Sequence, residues 1–66
     1  MRVRFENHVD LCIRITHRDE SELLIVTTAQ GSVYTVKAPS SAVANESYNH
    51  VLETGYLDVS SFDYSN

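Results

Sequence analysis

The sequence predicts an α+β domain: a four-stranded antiparallel meander, one helix packed on one face, and a short fifth strand at the C-terminus. Three observations carry this reading. Apolar and polar residues alternate with period two through Met1–Glu6 and Val9–Thr16, the pattern of half-buried strands. Gln30-Gly31 separates two runs rich in Val, Leu, Ile and Thr, and glycine enters the φ > 0 region of a hairpin turn without steric cost. Finally, Ala44, Tyr48, Val51 and Leu52 fall at helical spacing between Pro39 and Gly55.

The first two strands meet at the polar joint Glu6-Asn7-His8. A three-residue loop there sets Phe5 opposite Val9, Val3 opposite Leu11, Met1 opposite Ile13, and Arg4 opposite Asp10 as a cross-strand ion pair. That register keeps Val9, Leu11, Ile13 and Ile15 on the same face as Val3 and Phe5. After the charged connection His17–Glu22, pairing Ile13 with Ile25 continues the face through Leu23, Ile25 and Thr27. A two-residue turn at Gln30-Gly31 then places Tyr34, Val36 and Ala38 on it as well.

Pro39 ends the fourth strand, because it has no N–H for a ladder. Ser40 or Ser41 is suited to cap a helix whose apolar stripe crosses the inner face, and Gly55 stands where a helix C-terminus favours it. Tyr56–Val59 alternates again as a short strand. Residues 60–66 change parity, as a bulged continuation or a mobile tail.

The chain has 66 residues, a single domain's worth. A domain of that size buries only about 60% of the surface its unfolded chain exposes. Cys12 is the sole cysteine, so no disulfide supplements the core, and self-association is one expected remedy. The absence of a charged leader, of a long apolar run and of paired cysteines suggests a cytoplasmic protein with no membrane contact.

Net charge is −4 and unevenly placed: every Lys and Arg lies within residues 1–37, while residues 38–66 hold Glu46, Glu53, Asp58 and Asp63 alone. With Tyr56, Phe62 and Tyr64 among them, these acids form a candidate surface for docking on a basic protein partner. A second candidate is the outer face of the meander. In the expected register it shows Cys12, Leu24, Val26 and Val33 ringed by Arg2, Arg4, Arg14 and Lys37. That face suits a homodimer contact. Its arginines also suit RNA or DNA, although it lacks the aromatic platforms on which single-stranded bases stack.

No catalytic or cofactor chemistry emerges. His8, His17 and His50 have no metal-ligand spacing among themselves or with Cys12 and Asp10. With Gly31 and Gly55 as the only glycines there is no phosphate-cradling loop, and no serine sits in a nucleophile elbow. Val36-Lys37-Ala38-Pro39, between hairpin and helix, resembles the carbon storage regulator, a small dimeric RNA-binding family. Ala44-Asn45-Glu46 stands where that family's basic RNA contact is expected, so no site carries over. The functional expectation is therefore a small non-catalytic binding module whose acidic C-terminal half occupies a basic partner, as phage-encoded inhibitors of nucleic-acid-binding proteins do. The alternative is a self-associating or nucleic-acid-binding regulator acting through the sheet face.

Overall fold

A computed structural model describes residues 1–66. The strands are β1 (Arg2–Arg4), β2 (Val9–His17), β3 (Leu23–Thr28) and β4 (Val33–Lys37), followed by helix α1 (Ser41–Thr54), β5 (Tyr56–Asp58) and β6 (Asp63–Ser65). All join one sheet in the order β5-β1-β2-β3-β4-β6. β1 to β4 form the expected antiparallel meander, β5 lies parallel to β1, and β6 lies antiparallel to β4. Residues 60–66 thus supply a turn and a sixth strand.

The chain's length between the last two strands forces the sheet to curl. In a flat six-stranded sheet the outermost strands stand about 24 Å apart. The step from Asp58 to Asp63 spans at most about 18 Å even fully extended, and it contains a turn in which Phe62 N–H donates to Val59 O at 3.0 Å. The two edges therefore bend toward each other around a concave interior. Across the gap, Glu6 N–H donates to Tyr64 Oη at 2.9 Å.

The helix forms where its caps direct. Ser40 Oγ accepts from Val43 N–H at 3.2 Å, and Gly55 adopts φ +76° with its N–H bonded to Val51 O at 2.8 Å. Ala44 and Val51 are buried against β2, β3 and β5, with Val43 and Tyr48 beside them. Leu52, expected on this apolar stripe, is exposed, because the helix touches the sheet along the narrower row through Ala44 and Val51. Elsewhere the interior is closed by rings: Phe5 lies 4.5 Å from Tyr34 and 5.1 Å from Tyr64, centre to centre. β2 and β3 lie between β1 and β4 in the sheet, so the contact of Phe5 with Tyr34 spans the concave interior.

Three registers differ from expectation. The β1–β2 loop has four residues, Phe5–His8, closed by Phe5 N–H to His8 O at 2.8 Å. Val3 therefore faces Asp10, and Arg4 faces Val9 rather than Asp10, whose Oδ2 instead lies 3.1 Å from His8 Nε2. The β3–β4 turn has three residues, Ala29–Gly31, with Gly31 at φ +91°, and pairs Val26 with Tyr34. Between these slips a β-bulge at Cys12–Arg14 absorbs one residue of β2. A one-residue slip turns every side chain to the other face. Leu24, Val26 and Cys12, expected outside, are therefore core residues, whereas Val9, Leu11, Ile13 and Leu23 point outward.

Candidate functional site

The outward row on β2 is the feature that the slips create. Val9, Leu11 and Ile13 are 50%, 64% and 66% exposed. Period-two strand geometry sets successive members about 7 Å apart. The bulge prolongs this row. Ile13 is the extra residue, so it and Arg14 both lie on the outer side opposite Thr27, while Cys12 and Ile15 on either side turn inward. The Cys12 thiol fastens the kink by donating to Arg14 O at 3.2 Å. A buried thiol engaged in this way is a packing element, not an exposed nucleophile.

Cations border the row. On β1, Arg4 stands opposite Val9 and Arg2 opposite Leu11, and Arg14 follows Ile13 on β2 itself. All three are exposed. Lys37 and Val33 lie farther across the same convex face on β4, also exposed, beyond Leu23 and the half-buried Ile25 of β3. No Lys or Arg makes an ion pair within 4.0 Å; the only such pair is His8 with Asp10. Thus Arg2, Arg4, Arg14, Val33 and Lys37 occupy the outer face as expected. Cys12, Leu24 and Val26 do not, and Val9, Leu11 and Ile13 take their place.

The acidic and aromatic residues expected to act as one surface are dispersed. Glu46, Tyr56 and Asp58 line a shallow groove of about 360 Å³ between helix and β5, together with His50. Glu53 is exposed on the last turn of the helix, outside that groove. Asp63 belongs to β6, where it pairs in register with Lys37, and Asp58 pairs with Arg4. Phe62 and Tyr64 pack against the core, Tyr64 within the ring cluster of Phe5 and Tyr34.

The acidity of Asp58 is displaced. Its carboxylate accepts from Ser60 Oγ at 2.6 Å and from Ser60 N–H at 2.9 Å. These two bonds, with the Arg4 charge assisting, lower its pKa below the ordinary 3.8. The arrangement is an Asx-type turn that links β5 to the final segment.

The histidines are used locally. His8 stacks on Phe5 at 5.0 Å, His17 Nε2 lies 2.9 Å from Ser21 O with its ring 5.7 Å from Tyr48, and His50 lines the acidic groove. No group of three or more His, Cys, Asp or Glu side chains converges in a way that would hold a metal ion. No helix is long and apolar enough to cross a membrane.

Alternation alone conceals the outward β2 row, because Val9, Leu11, Ile13 and Ile15 share one parity and the bulge that divides them has no residue signature here. The useful signal lies in β3, whose Leu23-Leu24-Ile25-Val26 run is apolar at both parities and so permits either register. In comparisons with known proteins, no family model, curated protein or solved structure matches the chain.

Proposed function

We propose that this chain is a non-catalytic protein-binding module that engages its partner through the convex face of the sheet, centred on Val9, Leu11 and Ile13. The observation that carries the reading is the exposure of these three aliphatics in one row on β2, while the smaller Cys12 of the same strand is buried. Exposed apolar patches rimmed by polar groups are a recurrent mark of protein interfaces. A cytoplasmic setting, with the lone cysteine reduced, belongs to the same proposal.

The acidic groove of Glu46, Asp58 and Tyr56 is the competing surface, and docking on a basic partner is the function it would serve. It is favoured less, because Asp63, Phe62 and Tyr64 are engaged elsewhere. Affinity capture from the producing cell separates the two surfaces. A Leu11→Glu/Ile13→Glu variant with an unchanged circular-dichroism spectrum should lose the proteins that wild type retains, whereas Glu46→Lys should keep them. The reverse pattern transfers the function to the acidic face.

A further inference from the structure

We infer that the partner presents an apolar cleft bordered by carboxylates, into which the Val9–Leu11–Ile13 ridge inserts while Arg2, Arg4 and Arg14 meet the border. The inference rests on the convex face being the binding surface and adds the chemistry of its occupant. Shape is the first argument. The sheet curls toward the helix, so this row stands on the outside of the bend, and a bulge bends β2 at its centre. A ridge buries its aliphatic groups fully only in a concave surface.

Charge is the second argument, and it is independent of shape. The chain carries −4 overall, yet four of its five Lys and Arg residues, Arg2, Arg4, Arg14 and Lys37, lie on this one face. None is neutralised by an ion pair within the molecule. On the face itself the only acids are Asp58 and Asp63, at the outer strands beside Arg4 and Lys37. Arg2 and Arg14, which flank Leu11 and Ile13, have no acidic neighbour in register. Complementary potentials favour an acidic border on the partner, and like charges brought together cost several kcal/mol.

These features also rank the other occupants. A second copy packed face to face would set its arginines against the same arginines. In the lining of the chain's own acidic groove only Tyr56 and Leu57 are apolar, and Leu57 is buried, which leaves little apolar surface for three aliphatic side chains. Nucleic acid would satisfy the arginines but leave the aliphatic row against sugars and phosphates, and the one exposed aromatic beside the cations, Tyr56 next to Arg2, stands on the edge strand away from that row.

The test uses the intact, isotope-labelled protein and two helical-hairpin peptides with the same leucine-lined groove between their helices, one rimmed by glutamates and the other by lysines. The glutamate peptide should shift the amides of Val9–Arg14 and Arg2–Arg4 and bind about tenfold more tightly than the lysine peptide. Its advantage should shrink as salt is raised, and Arg2→Glu/Arg14→Glu should reverse the preference. Equal or tighter binding of the lysine peptide at the same amides overturns the inference about charge while leaving the convex face as the binding surface. Shifts at these amides with a homopolymeric RNA or with phosphatidylserine vesicles, and none with the glutamate peptide, overturn it in favour of those ligands. A dimer by light scattering that Ile13→Glu converts to monomer does so in favour of a second copy. If neither peptide moves these amides and wild type stays monomeric, the binding surface itself is refuted.

Discussion

Leu23 and Leu24 are neighbours of identical chemistry on β3, and the structure assigns them opposite faces. Leu24 is fully buried and Leu23 is 42% exposed. Truncating Leu24 removes a side chain whose burial contributes about 1.5–3 kcal/mol and leaves a cavity among Val26, Val36 and their neighbours, for a total of about 2–5 kcal/mol. Truncating Leu23 removes roughly half as much buried area, about 1 kcal/mol, and water fills the space.

A domain of this size has a total stability on the order of 3–10 kcal/mol, so the difference is large on that scale. With a urea slope of about 1 kcal/mol/M, Leu24→Ala should unfold at about 2 M less urea than Leu23→Ala. If Leu24→Ala is too unstable to purify, Leu24→Val against Leu23→Val gives the same ordering at smaller amplitude. Equal midpoints, or a lower midpoint for Leu23→Ala, would mean that β3 pairs in the alternative register. The convex ridge would then not exist as described.

Three further predictions follow from single contacts. Gly31→Ala meets no atom within 4 Å, so its cost is the backbone's alone: φ +91° should make the variant less stable by about 1–2 kcal/mol, and a cost near zero would refute the three-residue turn. Tyr64→Phe deletes the hydroxyl that accepts from Glu6 N–H and should lower stability by about 1 kcal/mol, with faster hydrogen exchange at Glu6; unchanged exchange would mean that the strap between the sheet's edges does not form. Asp58 has a lowered folded-state pKa, so its contribution is present above the ordinary 3.8 and disappears as pH falls through the folded value. Asp58→Asn should therefore lower the urea midpoint at neutral pH and match wild type at the acid end, whereas parallel midpoint curves for the two proteins would exclude the Ser60 bonds as the source.

Much of the architecture was legible because it depends on local chemistry. Ser40 and Gly55 bound the helix through hydrogen bonds that each makes within a few residues. Gly31 marks a turn because it alone there takes positive φ without strain. Pairing was less legible. In Leu23–Val26 every position is apolar, so either face satisfies the pattern, and loops of three or four residues between β1 and β2 are both compatible with Glu6-Asn7-His8. One added loop residue was enough to exchange Cys12 for Leu11 in the core. Of the residues suspected on the outer face, Arg2, Arg4, Arg14, Val33 and Lys37 are there, and the aliphatic centre is a different set.

What the sequence determined by itself is the order and kind of the elements through α1 and β5, the caps of the helix, and the segregation of cations into the first 37 residues. What only the tertiary structure decided is which side of each strand faces in. The rings of Phe5, Tyr34 and Tyr64 meet across the interior, and the buried side chains of β2 are Cys12 and Ile15. Leu11 and Ile13 are left outside. Hydrophobic patterning measures how much apolar surface a strand carries, but the shape of the space to be filled decides which of it is buried.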